Sequence, residues 1–197
     1  MKLESYFHLG TLTGLALVTV FFSSHPELLA PRADTTMFSI GDTVWDPSCN
    51  ANQEITAIRV DFGVDAVGVT EPVTKIWRAV LKQWDGTFDH IPDGNGGTIS
   101  VPSLCVIGKT GWSGDGVAFD PVDFDPPGKS IIPFNLCRET DCEHFLLQLE
   151  TKTIDRSTNP ATQGVPTVED QVAVEICCTG PDAFEIHDIE VSEIGTF

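Results

Sequence analysis

Basic residues are scarce in this chain. Eleven Lys and Arg stand against 29 Asp and Glu among 197 residues, a formal net charge of −18. A surface of that sign repels phosphate backbones and anionic headgroups, so nucleic acid is excluded as a partner class. Recognisable catalytic signatures are missing as well. No GxSxG elbow, HExxH, Walker loop or GxGxxG after a strand occurs anywhere in the chain. There is no CxxC, hence none of the common zinc or iron–sulfur spacings, and no CxxCH for a covalent c-type haem. Without an Asn-x-Ser/Thr acceptor, the composition leans towards a bacterial ectodomain.

The charge that is present is unevenly placed. Residues 1–33 balance Lys2 and Arg32 against Glu4 and Glu27, so the whole excess of acid belongs to residues 34–197. Residues 9–22 (LGTLTGLALVTVFF) carry no charge and form an apolar run of 14 residues, or 17 counted from Tyr6. A cleaved signal needs an apolar core of about 7–15 residues and a spanning helix about 17–25. The candidate cleavage sites put Phe22, Pro31 or a cut just before Pro31 in the way of small-residue recognition. Residues 1–25 therefore read as a retained membrane anchor, with a cleaved signal peptide and a buried core helix as the alternatives. Residues 26–48 read as a Pro-punctuated linker, and residues 49–197 as one acidic domain. With Lys2 inside, the expected topology is single-pass, the C-terminal domain periplasmic or extracellular.

All six cysteines, Cys49, Cys105, Cys137, Cys142, Cys177 and Cys178, lie in that domain. An even count beyond a membrane reads as three disulfides, whose connectivity the count alone leaves open. Local pattern narrows it. Along 171–178 (QVAVEICC), Val172, Val174, Ile176 and Cys178 share one face of a strand, and Cys177 shares the other with Glu175. Neighbours on opposite faces should enter separate bridges, with Cys142 as one partner.

Period-two alternation recurs at 55–64, with Ile58, Val60, Phe62 and Val64 opposite Arg59 and Asp61, and again at 145–154. Shorter candidates lie at 99–107 and 131–136. At 184–194 the apolar phase shifts from Phe184 and Ile186 to Ile189 and Val191, which predicts a bulge near His187 and Asp188. Residues 73–84 (VTKIWRAVLKQW) dissent. Val73, Ile76, Trp77, Val80, Leu81 and Trp84 fit a helical stripe, with Lys75, Arg78 and Lys82 opposite, a solvated helix face or, as the alternative, a docking patch for an acidic partner or lipid headgroups. Gly-, Pro- and Asp-rich punctuation separates the strands. The expected fold is mainly β: a jelly-roll-like antiparallel β-sandwich with one minor helix, preceded by an N-terminal transmembrane helix. The run 184–191 (FEIHDIEV) resembles the closing strand of carbohydrate-binding jelly rolls, a likeness that carries no residue role with it.

Three features bear on chemistry. Asp120, Asp123 and Asp125 space carboxylates along a loop as a calcium site would, and Asp89, Asp93 and Asn95 form a second, weaker candidate. No other cofactor is indicated. Trp112 lies between glycines in a loop (TGWSG), where an indole serves as an interface anchor or a sugar platform, or folds down onto the body. Trp45, Trp77 and Trp84 read as core. The first function class is a non-catalytic accessory subunit of a larger membrane assembly, respiratory or photosynthetic, with other protein subunits as partners. The alternative is a surface carbohydrate-binding or adhesion module, and a secreted hydrolase stands third.

Overall fold

The computed structural model describes residues 37–67, 75–113, 129–133, 135–155 and 162–196, all within the unit Asp34–Phe197. The apolar run at 9–22 and the loop carrying Asp120, Asp123 and Asp125 lie outside the described residues. The described chain is mainly β and every strand pairing is antiparallel: β1 (Met37–Cys49), β2 (Ile55–Val67), β3 (Lys75–Pro92), β4 (Thr98–Lys109), β5 (Lys129–Ile131), β6 (Cys142–Asp155), β7 (Thr162–Gln163), β8 (Thr167–Gly180) and β9 (Ala183–Ile189). A single 3-10 turn, Val191–Glu193, follows β9. The strands form a three-stranded sheet in the order β1-β2-β5 and a larger sheet in the order β4-β3-β6-β8-β9, with β7 pairing the end of β6.

Strand β2 follows its alternation: Ile58, Val60, Phe62 and Val64 are buried, and Arg59 is exposed. Strand β1 begins inside the segment assigned above to a linker. Its register with β2 steps from Ile40↔Val64 to Thr43↔Phe62, three residues against two. That bulge moves the inward phase from Phe38 and Ile40 to Trp45 and Cys49 and hides the strand from a strict period of two. Pro47 is tolerated because β1 is an edge strand.

From Lys75 onward the segment expected as a helix at 73–84 is instead the first half of β3, which lies between β4 and β6; residues 73 and 74 lie outside the described residues. Trp77, Ala79, Leu81 and Gln83 are buried on one face, and Ile76, Val80 and Trp84 on the other. A strand covered on both sides shows an almost continuous apolar run. In such a run Val80, Leu81 and Trp84 satisfy a helical stripe by accident. Strand β6 is the same kind of element, buried without a break from Glu143 to Leu149. Among the described residues of 131–136, only Ile131 is strand, as the end of β5.

The phase shift in β9 also has a different origin. Pairing with β8 is continuous from Phe184↔Cys178 to Ile189↔Ala173, and the irregularity falls beyond Cys178. Phe184 and Ile186 lie exposed on one face of this edge strand, while Ile189 packs on the other, against a second small cluster. The second phase arises because the outer face of the larger sheet carries its own apolar cluster, against which Ile189 packs.

Side chains of the smaller sheet (Phe38, Trp45, Ile58, Val60, Phe62, Ile131) and of one face of the larger (Trp77, Leu81, Phe145, Leu147, Leu149, Val174, Ile176) form one buried cluster. Cys49–Cys178 ties β1 to β8, Cys142–Cys177 joins the paired strands β6 and β8, and Cys105–Cys137 fastens the 135–141 segment to β4. Cys177 and Cys178 thus occupy separate bridges, with Cys142 as a partner, as their opposite facing implies. Two carboxylates of β8 guard the β1 edge: Glu169 and Asp170 accept the Phe38 and Ile40 amides at 2.7 Å each.

Candidate interaction site

Three local arrangements carry polar or exposed apolar groups that the core does not require. The first surrounds Trp112. Strand β4 ends at Lys109, and the chain continues along β3 with side chains standing in for backbone acceptors. The Thr110 amide donates to the Ala79 carbonyl at 2.9 Å, and Thr110 Oγ1 accepts the Ala79 amide at 3.0 Å. Ser113 repeats the exchange with Trp77 at 2.8 and 2.9 Å. These two reciprocal pairs leave Gly111 and Trp112 looped out, and the indole turns onto the outer face of the larger sheet. Arg78 Cζ lies 4.6 Å and Lys152 Nζ 4.1 Å from its ring centroid. Arg78 is held by Glu150 at 2.6 Å, and Lys152 donates to Gln163 Oε1 at 2.6 Å. Trp112 is therefore half-buried against two restrained cations, neither open in solvent nor part of the apolar core.

The basic patch expected from Lys75, Arg78 and Lys82 does not form. In a strand Lys75 faces the opposite way from the other two, and it pairs with Glu169 at 2.6 Å. Burial opposes the charge on Glu169, but Lys75, the Phe38 amide and Thr151 outweigh it and hold the carboxyl below its ordinary value. The structure brings Lys152 to Arg78 instead. Cross-strand pairing of β3 with β6 creates that neighbour, which no local pattern in the sequence announces.

The second arrangement is a buried polar knot where the 135–141 segment crosses the end of β3 and β6. Gln83 is fully buried: its Oε1 accepts the Cys137 amide at 2.8 Å and its Nε2 donates to the Arg138 carbonyl at 2.7 Å. Glu143, also fully buried, lies 2.5 Å from Thr140 Oγ1 through Oε1 and 3.4 Å from Arg138 Nε. Burial pushes the Glu143 carboxyl above its ordinary value, against the pull of Thr140, Gln83, Arg138 and His144. The Thr140 hydroxyl also lies 2.7 Å from the Cys142 carbonyl, so its one proton serves both that carbonyl and Glu143. The carboxyl is a buried structural group with no access for a substrate.

The third arrangement is an arm. At Asp85–Thr87 the register with β4 slips, and beyond it residues 86–100 are exposed on both faces. Asp85 builds the base: its Oδ1 takes the Thr87 amide and hydroxyl, its Oδ2 takes the Ser103 hydroxyl, and these bonds lower its pKa. The tip is closed by Asp93, whose Oδ1 accepts the Asn95 and Gly97 amides at 2.8 Å each. This carboxylate oxygen works for the turn, which is a structural use of the second calcium candidate. Ile91 pairs directly with Ile99, beside Asp89↔Val101, giving the arm one apolar face. Phe88 lies on the other, edge-on to Trp84 at 5.8 Å.

Comparison with protein-family models, with curated proteins and with solved structures returned no match to this chain.

Among the described residues no cluster of three or more His, Cys, Asp or Glu is placed to hold a metal ion. Among them, too, no helix is long and apolar enough to cross a membrane. Asp120, Asp123 and Asp125 lie outside those residues. The arm is the feature least legible in the sequence. DGNGG at 93–97 marks the turn, but only the tertiary structure shows that Ile91 and Ile99 stay exposed.

Proposed function

We propose that the chain is a non-catalytic, membrane-anchored, extracytoplasmic accessory subunit of a larger assembly, and that it docks through the β3–β4 arm. The observation that carries this reading is the exposure of Ile91 and Ile99, at 42 and 49 %, side by side on one face of the hairpin. A two-stranded hairpin is marginal in water by itself, and an exposed apolar patch on a rigid base marks a protein contact. Three disulfides support an oxidising compartment. The uncharged run at 9–22 supports the anchor. We read the body as a jelly-roll-like β-sandwich, on the strength of the apolar cluster common to both sheets and the Cys49–Cys178 bridge between them.

The test uses the full-length chain in its source membrane. Ile91→Asp with Ile99→Asp should leave the unfolding temperature within a few degrees, because both side chains are solvent-facing, yet abolish co-purification of partner subunits after gentle solubilisation. A photo-crosslinker at position 91 should capture the same subunits. Undiminished co-purification of the double variant would overturn the arm as the docking element. Glycan-array binding that depends on Trp112 would favour the carbohydrate-binding reading instead.

A further inference from the structure

We propose that residues 190–196 form a pH-released strap, closed over the outer face of the larger sheet only while His144 is neutral. The inference stands apart from the docking reading and rests on the geometry of one ring.

The strap is a single turn. The Glu190 amide donates to the Glu193 carboxylate at 2.6 Å, and the Thr196 amide to the Glu193 carbonyl at 2.9 Å. Ile194 is 2 % exposed and seats on Trp84, Leu146 and Ala173. The next residue lies flat on the sheet. Gly195 has φ +81°, and a Cβ there would stand 3.0 Å from Phe88 Cζ and 3.2 Å from Trp84 Cε2, so only glycine fits. Its amide donates to His144 Nδ1 at 2.7 Å.

A backbone amide only donates, so Nδ1 must present a lone pair. The ring proton is therefore on Nε2, which faces Glu175 Oε1 at 3.3 Å. The imidazole is stacked on Trp84, 5.9 Å between centroids, and buried to within 1 %. It has no room to turn. A second proton on the ring would set an N–H against the Gly195 N–H, and the amide must withdraw.

The charged surroundings decide what yields. Glu175 of β8 faces Nε2. His187 of β9 is the register partner of Glu175 and lies 3.7 Å from Glu185. From β3, Lys82 stands one row away. The Arg138 guanidinium lies 5.2 Å from the far partner, the Trp84 ring. Glu143 precedes His144 on β6, and the strap itself brings Glu190 and Glu193. Strands β6 and β8 are bridged by Cys142–Cys177 and sit at the centre of the sheet, whereas the strap is held by Ile194 and one turn. The strap is the part that moves. Its release uncovers Trp84, Leu146 and Ala173.

The experiment is a titration of the full-length chain from about pH 8 to about pH 5, the interval in which an imidazole changes charge. Nuclear magnetic resonance reads the His144 ring signals and the hydrogen-exchange protection of Ile194, Gly195 and Thr196 in one sample. Protection, corrected for the intrinsic pH dependence of exchange, should fall at least about tenfold at these amides as the ring protonates, the equilibrium weight of one buried hydrogen bond. Amides of β3, β6 and β8 should keep theirs. His144→Gln, whose side-chain oxygen accepts at every pH, should hold the strap closed throughout. Strap protection that persists to the acid end overturns the proposal, as does equal opening in His144→Gln. Should that variant fail to fold, the wild-type titration decides alone.

Discussion

Removing the Cys49–Cys178 bridge tests how the two sheets are held together. The bridge spans 129 residues, and in the chain-entropy picture a loop of that length contributes about 5 kcal/mol by restricting the unfolded chain. The other two bridges shorten the loop. With Cys105–Cys137 and Cys142–Cys177 intact, the path runs 49–105, then 137–142, then 177–178, about 62 residues, and the same relation gives about 4 kcal/mol. Cys49→Ala with Cys178→Ala also leaves two small voids in a buried site, which adds to the loss. For a unit of this size, about 2–4 °C per kcal/mol, the unfolding temperature should drop by about 8–16 °C. Urea unfolding without reductant should show a second mark, a steeper dependence on denaturant, because the unbridged chain unfolds to a more open state. A loss under about 1 kcal/mol with unchanged slope would refute the reasoning. It would mean that the shared apolar cluster alone fixes the smaller sheet on the larger.

Glu143→Gln tests the effect of burial on this acid. Its folded pKa lies above the unfolded value near 4.5, so its contribution is complete below that value and lost as pH rises through the folded pKa. Thermal unfolding from about pH 4 upward should show the wild type losing stability relative to Glu143→Gln; the reverse slope would place a charge on Glu143. Trp112→Ala removes two cation–ring contacts and a half-buried indole and should cost about 1–2 kcal/mol with the fold intact. Trp84→Ala, which empties a site between Leu146 and Ile194, should cost about 3–5 kcal/mol by the same melting assay; the opposite order would place Trp112 in the core.

Much of the fold is written locally. Strand β2 alternates cleanly because one face meets the core and the other meets water, and the facing of Cys177 and Cys178 followed from the same period. The errors share a cause. Local period reports burial on one side of an element, and β3 is buried on two. Its Ile76, Val80 and Trp84 meet the outer face while Trp77, Ala79 and Leu81 meet the inner one. No window of twelve residues separates that pattern from a helix. In β1 a single extra residue at the bulge shifts the inward phase, and what is a strand from Met37 reads as connection.

The candidate sites lie still further from local pattern, because each is made by register rather than by spacing. Trp112 was visible as an unusual loop residue, but its neighbours Arg78 and Lys152 come from two strands paired antiparallel across 74 positions of sequence. His144 carries no local signal of its role. Its meaning depends on which atom faces its nitrogen, and that atom is a backbone amide 51 residues away. A side-chain partner leaves a trace in composition; a backbone partner leaves none, since every residue but proline offers the same N–H. Gly195 permits the contact because it alone can lie between Trp84 and Phe88 at a positive φ, and that requirement, like the contact itself, is a fact of tertiary structure.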